Sequence, residues 1–354
     1  MKKRFLIVAD ILVCISGIIG AGFATGQEIS LYFKNKDPFL TAVFCFVFFC
    51  TFFLMGLNLK RVIKNKEEAK KGVKKHFNFF ALSDAFLIAA CFFVLTAMLS
   101  GAQTNAVIVL GLKNKFPFFG ILTALLCVLL SYFDLKGLNA VCVVLTPIML
   151  FFILYVCFFK NTFTFKGETL GCVSNALFYV SLNSITMMPL IAEFGKKFSA
   201  KEKTIFMIVS SAVLSVLIFL ILSLINSVND DTMPLVHAAA SNAVLGKLYG
   251  AVVLFSIITT VLTCAYPVIT AVNKKIKNKS VSVFIVFFAA FCLSLIGFKR
   301  IVDFAYPFIS VLGILLAAYF TVVFLRKKLT LPPDQGLFKQ SDKQIHNSGN
   351  NAKH

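Results

Sequence analysis

Polar residues that could bind a solute or an ion are concentrated in three short stretches of an otherwise apolar sequence. The first contains Gly17, Gly20, Gly22 and Gly26, and the polar pair at 27–28 follows directly. Glycine costs about 1 kcal/mol relative to alanine within a helix. The cluster therefore predicts either close helix packing, as in GxxxG interfaces, or a helix that unwinds. The polar flank favours unwinding at residues 19–22, which would free backbone groups for a ligand.

The second stretch, YVSLNSITMMPL, places Ser181, Asn183 and Ser184 in the middle of an apolar run, with Pro189 after them. Serine and asparagine compete for backbone hydrogen bonds, and proline removes a donor. We therefore predict a second break at residues 181–184. A kinked but continuous helix is the alternative.

The third stretch contains adjacent hydroxyls at Thr259 and Thr260, eight and seven residues before Pro267. Threonine oxygens together with backbone carbonyls suit a hard cation. The alternative is that both hydroxyls bond to their own helix, which is a common use of threonine in membranes.

Carboxylates at membrane depth are costly and are often functional. Of the four near the apolar runs, at Asp10, Glu28, Glu193 and Asp303, Glu28 is the first candidate for a gate or a proton carrier, and Asp303 is the second.

The sequence contains no HExxH or GxSxG motif, so we expect no enzyme. The ten cysteines lie within apolar runs and form no CxxC pair, so we expect no bound metal or cofactor other than a coupling ion.

Long apolar runs must position these residues. The chain is 59% apolar with a mean hydropathy of +0.89, and about 20 apolar residues span a bilayer as a helix. Without the alternation of barrel strands, the runs predict an all-α polytopic membrane protein with about ten transmembrane helices. The predicted segments are 5–33, 38–57, 85–112, 116–133, 137–159, 170–194, 204–227, 244–272, 280–297 and 301–325.

The net charge of +20 reflects topology rather than binding to nucleic acid. With the N-terminus inside, the predicted inner segments carry 26 of the 35 Lys and Arg residues. The positive-inside rule then places both termini in the cytoplasm. The lysine-rich loop 58–84 is expected to be a solvated helix near anionic headgroups.

Two interrupted helices, the first and the sixth predicted, each open a set of five. An odd number of helices per set gives the sets opposite orientations, so residues 5–159 and 170–325 form a candidate inverted repeat. Paired interruptions mark the binding site in transporters of this kind. We expect one transmembrane domain over 1–325 and a disordered tail over 326–354.

The string GIIGAGFATGQEI resembles the signature of the YkvI-like bacterial membrane proteins, which are related to the amino acid–polyamine–organocation superfamily with the LeuT fold. ALFYVSLNS resembles the unwound sixth helix of LeuT-like transporters. The resemblance covers residues 5–325 and implies a location in the bacterial cytoplasmic membrane. It also implies a substrate carboxylate at the N–H groups near Gly20–Gly22. The implied substrate-binding residues are Gly20, Ala21, Gly22, Phe178, Tyr179, Ser181 and Asn183.

The third stretch resembles the hydroxyl pair that binds sodium on the eighth helix of LeuT-like transporters. The implied sodium ligands are the carbonyls of Ser16, Ile19 and Ser256 and the hydroxyls of Thr259 and Thr260. Some proton-coupled relatives place a lysine on the fifth helix instead, and this sequence has none there. A proton on Glu28 or Asp303 is the alternative coupling ion.

Together these features predict a cation-coupled symporter of a small organic solute that works by alternating access in the lipid bilayer. The predicted breaks contain no ionisable residue, which favours a neutral amino acid or a similar zwitterion. The alternative is a nutrient receptor that keeps the transporter fold and binds solute without moving it, as germination receptors do. The sequence leaves the oligomeric state open.

Overall fold

In a computed structural model, the chain is helical over almost all of the residues that the structure describes, which are 2–69, 79–112, 117–132, 135–160, 163–227 and 232–330. This part of the chain contains no strand beyond a single bridge between Lys36 and Glu168. The helices are α1 (Lys2–Ile18), α2 (Ala21–Ala24), α3 (Gln27–Phe33), α4 (Pro38–Ala69), α5 (Phe79–Leu110), α6 (Phe118–Leu130), α7 (Leu135–Lys160), α8 (Cys172–Lys197), α9 (Ala200–Ile225), α10 (Pro234–Ala240), α11 (Ala243–Ile276), α12 (Lys279–Ser294) and α13 (Phe298–Thr330).

Five helical stretches in the described part of the chain are long and apolar enough to cross a membrane. They are Pro38–Asn58, Ala85–Leu110, Ala200–Ile225, Ala243–Ile276 and Phe298–Ala318. Four further apolar helices are shorter, at Ile7–Ile18, Phe118–Leu130, Leu145–Lys160 and Lys279–Ser294. The chain is thus an all-α, multi-pass membrane protein. Each predicted segment contains a helix, and length and composition identify five candidate spans among the described residues. The count of ten stays a prediction.

Two long helix pairs build the bundle, because α4 packs along α8 and α5 packs along α11. Between α3, α4 and α8, an aromatic cluster fills the core. The Tyr179 ring makes edge contacts with Tyr32, Phe33 and Phe49, with centroids 5.8, 5.3 and 6.2 Å away. Such edge-to-face pairs add specificity to simple apolar burial, so they fix how α3 docks on α8.

Three loops predicted to lie outside meet at one end of the bundle. Asn226, after α9, accepts from the Asn35 N–H at 2.9 Å and donates to the Lys36 carbonyl at 2.9 Å. The Asp37 N–H donates to the Glu168 carbonyl at 3.0 Å, and the Lys36 ammonium pairs with the Glu168 carboxylate at 2.7 Å. These contacts join the loops that precede α4 and α8 to the end of α9.

Two segments predicted to lie inside meet at the opposite end. Lys203, in the first turn of α9, donates to the Leu57 carbonyl at 3.2 Å and to Asn58 at 3.3 Å. Gly195 of α8 also lies against the Leu57 carbonyl. The ends of α4, α8 and α9 are therefore sorted as the predicted alternation requires, although which end faces the cytoplasm stays a prediction.

The chain divides into a large unit, Met1–Ala317, and a C-terminal unit, Ala318–His354. In the C-terminal unit the described residues are the end of α13, which runs to Thr330. Residues 326–330 are therefore helical and do not belong to a disordered tail. The rest of the predicted tail lies outside the described residues, as do residues 70–78 of the 58–84 loop, and residues 58–69 of that loop continue α4.

Candidate functional site

The first predicted segment is interrupted twice. Helix α1 ends at Ile18, and Gly20 is extended with φ −72° and ψ −175° before α2 begins. A second turn follows at Gly26, whose φ of 76° lies in the left-handed region that favours glycine. The predicted break at residues 19–22 is thus present, with residues 21 and 22 already in the short helix α2.

The second turn is held in place by α10 and α11. The Met233 N–H donates to the Gln27 side-chain oxygen at 2.9 Å, and the Leu235 N–H donates to the Thr25 carbonyl at 3.1 Å. From α11, the Tyr249 hydroxyl donates to the Ala24 carbonyl. Backbone groups that the interruption leaves without helical partners are satisfied in this way, as buried groups require.

A cavity of about 240 Å³ adjoins the first break. Residues of α1, α2, α3, α5, α8, α11 and α13 line it. Its volume is below the range of roughly 300–1,000 Å³ typical of drug-sized ligands, so it suits a small solute. Most of the wall is apolar, and the polar side chains that line it are Ser16, Glu28, Asn183, Thr259, Thr260, Thr263 and Tyr306.

Glu28 brings a carboxylate to the break. It lies in the first turn of α3 and is only 8% exposed. A Cβ on Gly22 would overlap its carboxylate carbon and one carboxylate oxygen, so the close approach depends on glycine at this position. The hydroxyls of Tyr32, Tyr179 and Tyr306 lie within electrostatic range of this carboxylate. The sequence argument for a neutral solute assumed that no ionisable group lies at the break, and Glu28 overturns that assumption.

The predicted substrate residues are only partly brought together. Gly20, Ala21, Gly22 and Asn183 line the cavity, whereas Phe178, Tyr179 and Ser181 do not. Tyr179 is buried in the aromatic cluster described above. The carbonyl of Ser181 packs against Gly313 of α13.

The predicted break at residues 181–184 is absent, because α8 runs without interruption from Cys172 to Lys197. Asn183 does not compete with the helix, since its side-chain amide donates to the Tyr179 carbonyl one turn earlier at 3.1 Å. The close contact of Ser181 with Gly313 further confines the backbone. This part of the prediction is wrong, and the inverted repeat with two broken helices is not established.

Three of the five predicted sodium ligands line the cavity at the first break, and the other two do not. Ser16, Thr259 and Thr260 line the cavity, and the Thr260 hydroxyl lies 3.4 Å from the position of a Cβ on Gly20. Thr259 donates to the Ser256 carbonyl at 2.9 Å, as the alternative of a bond within the helix expects. Its oxygen can still accept or coordinate. Ser256 and Ile19 are buried and do not line the cavity.

Several cavity residues carried no signal in the sequence. Met98, Met187, Cys91 and Cys264 line the wall, but in a chain this apolar they read as packing residues. Tyr306, beside Pro307 in α13, is the one that its position next to a proline could have indicated. Asp303, the second proton candidate, is exposed and lies outside the cavity.

The chain matches no model of a known protein family, and no curated protein matches it. The resemblance to the YkvI-like group therefore stays a prediction based on the motifs themselves.

Proposed function

We propose that this protein is a secondary active transporter that moves a small organic solute across the membrane by alternating access, coupled to a cation. The observation that carries the proposal is the interrupted first helix, whose break adjoins a small cavity between α1, α5, α8 and α11. Irregular backbone at membrane depth is tolerated where it is buried in protein or lines a cavity. In transporters, such a break typically marks the binding site.

The cavity wall is buried in one part and exposed in another, and alternating access requires such a difference. In the buried part lie Glu28 and Tyr306, and α10 covers the neighbouring turn. The exposed part contains Gly17 and Thr263. These two residues lie on the parts of α1 and α11 that lead away from the Asn226 loop cluster.

The exposed part of the wall lies toward the cytoplasmic side by the charge distribution. The C-terminal half of α11 leads from Thr263 to Lys274 and Lys275, and the short loop that follows contains Lys277. Because cytoplasmic loops are rich in lysine and arginine, we infer that this conformation faces inward.

Purified protein reconstituted into vesicles provides the test. A thermal-shift screen of amino acids and amines first identifies a ligand, since specific binding raises the unfolding temperature. Uptake of that ligand under an imposed sodium or proton gradient then supports transport. Binding without uptake under any gradient would favour the receptor alternative, and no binding or uptake would overturn the proposal.

A further inference from the structure

Among the described residues that line the cavity, Glu28 is the sole carrier of a full charge. The other polar side chains there are hydroxyls, thiols and one amide. The ion pairs found elsewhere in the described structure, Lys36–Glu168 and Lys196–Glu193, do not involve Glu28. No hydrogen bond to its carboxylate is found within the described ranges either. The carboxylate thus faces the cavity without a protein partner.

An unpaired carboxylate in an apolar site is costly. Transfer of an isolated ionised group into low dielectric is strongly unfavourable unless a counter-charge accompanies it. Since no lysine or arginine lines the cavity, the charge is relieved either by a proton that the carboxylate takes up or by a cation from outside the chain. A cation that enters the cavity would therefore be stabilised by Glu28.

The cavity favours an organic cation over a divalent metal ion as the partner of Glu28. Hard divalent ions take six or more oxygen ligands, several of them carboxylates, and the cavity offers one carboxylate. At about 240 Å³ its volume leaves room for a molecular body. The facing wall is apolar, with Val94, Met98 and Leu182 among its residues. A small apolar body with one ammonium group matches both parts of the site.

The cavity wall also contains a buried hydroxyl without a partner. Tyr306 lines the cavity, is 1% exposed, and its hydroxyl has no hydrogen-bond partner among the described residues. A buried polar group of this kind is costly until it is paired. An ammonium group carries three N–H donors, so it can pair with both Glu28 and its polar neighbours.

The same geometry disfavours a substrate carboxylate at Gly22. The position against Gly22 is already taken by the Glu28 carboxylate. A second carboxylate there would be repelled, since like charges in a desolvated site repel each other strongly. Amino acids therefore bear a penalty that the corresponding amines do not.

We propose that Glu28 binds the ammonium group of a small apolar amine, so that the solute class of this cavity is the monocationic amines. Transport of the bound amine rests on the proposed function, whereas its binding does not. Two matched series test the charge requirement. They are leucine with isoamylamine, isocaproate and isoamyl alcohol, and phenylalanine with phenethylamine, hydrocinnamate and phenethyl alcohol.

Thermal shifts and titration calorimetry on wild-type protein give the ranking. We expect an amine to bind most tightly in at least one series, its amino acid more weakly, and the carboxylate and the alcohol not at all. Equal binding of an amine and its alcohol, tighter binding of a carboxylate, or no stabilisation by either amine at millimolar concentration would overturn the proposal.

Glu28→Gln, which keeps the shape and removes the charge, should weaken amine binding at least about tenfold. The matched control is Glu193→Gln, because Glu193 is exposed and lies off the cavity; it should bind like wild type. Retained amine affinity in folded Glu28→Gln protein would contradict the proposal. If that variant does not fold, the wild-type series decides alone. Amine binding without uptake would support the inference about Glu28 and overturn the proposed transport function. Uptake of a carboxylate without amine binding would support transport and overturn the inference about Glu28.

Discussion

The carboxylate of Glu28 lies directly against Gly22, so closely that a Cβ at position 22 would overlap it. The contact joins α2 to α3 across the turn at Gly26 and places the charge at the edge of the cavity. The glycine cluster thus has two separate structural tasks. Gly26 provides a left-handed turn, and Gly22 provides room for a side chain.

Substitution of Gly22 should abolish solute binding by displacing Glu28. Gly22→Ala adds the single carbon that overlaps the carboxylate, and Gly22→Leu also fills part of the cavity, so both should lose binding while membrane insertion persists. Gly120→Ala is the matched control, because a Cβ there meets only an ordinary contact with the Leu99 carbonyl at 3.4 Å. Unchanged affinity in folded Gly22→Leu protein would show that the Glu28 contact is not needed for binding.

Helix contacts made through glycine should govern stability away from the cavity. A Cβ on Gly313 would overlap the Ser181 carbonyl, and a Cβ on Gly195 would overlap the Leu57 carbonyl. Backbone atoms cannot rotate aside, so Gly313→Ala and Gly195→Ala should each lower the free energy of unfolding by about 1–3 kcal/mol. Denaturation in detergent measures this, again with Gly120→Ala as the control. A neutral effect of both substitutions would mean that these helices are not in such close contact.

The ion pair between Lys36 and Glu168 should give a small pH dependence of stability. The hydrogen bond and the charge of Lys36 lower the pKa of Glu168 below its usual 4.5. A lowered pKa in the folded state contributes stability that is present above about pH 4.5 and is lost as the pH falls through the lower folded value. Because the carboxylate is exposed, the effect is small.

Thermal unfolding of wild type and Glu168→Gln from neutral pH downwards isolates this contribution. The unfolding temperatures of the two proteins should differ slightly at neutral pH and become equal once the pH is well below 4.5. The backbone bonds between Asp37, Asn35 and Glu168 remain in the variant, so its fold should persist. A difference that grows on acidification would contradict the assigned sign.

Topology can be tested with reporters. Because the charge distribution places both termini in the cytoplasm, a reporter fused after Thr330 should report a cytoplasmic location. One inserted at Ser241, next to α10, should report the opposite side. Within Met1–Ala317, the end of α9, which precedes α10, lies with the Lys36 and Glu168 loops, and the charge distribution assigns these loops to the outside. A non-cytoplasmic signal after Thr330 would overturn the charge assignment.

The features that the sequence predicted correctly depend on local properties of the chain, such as glycine content and apolar length. The break after Ile18 follows from glycines that a helix accommodates poorly, and apolar length alone located the helices. The break in α8 was wrongly predicted. The side chain of Asn183 was expected to compete with the backbone for hydrogen bonds, but it donates to the Tyr179 carbonyl of its own helix and leaves the helix intact. The contact of Glu28 with Gly22 was out of reach, because it depends on how the Gly26 turn folds α3 against α2. Local propensity cannot specify such a contact.

The last prediction concerns the coupling ion. Thr260 lies beside Gly20, and Thr259 and Ser16 line the same cavity, so a sodium ion held there would link α11 to the broken helix. Its ligands would be uncharged oxygens, which bind sodium weakly and allow it to leave. Linkage requires that the ion and the solute change each other's affinity by the same factor. Sodium and an amine are both cations and would compete for the single negative charge of Glu28, so sodium should weaken amine binding. A zwitterion brings its own carboxylate as a second negative charge, so sodium should strengthen the binding of a zwitterion.

Replacing Thr259 and Thr260 together by Val keeps their shape and removes both hydroxyl oxygens, so solute affinity should become independent of sodium. Thr270→Val is the control, because Thr270 is exposed on the same helix and bonds only to the Tyr266 carbonyl at 2.8 Å; it should keep the wild-type sodium response. Calorimetry in sodium and in choline buffers measures the effect. If wild-type protein binds its solutes equally well in both buffers, the hydroxyl pair is not an ion site. Glu28, the carboxylate that faces the cavity, then becomes the candidate for carrying a coupling proton in place of sodium.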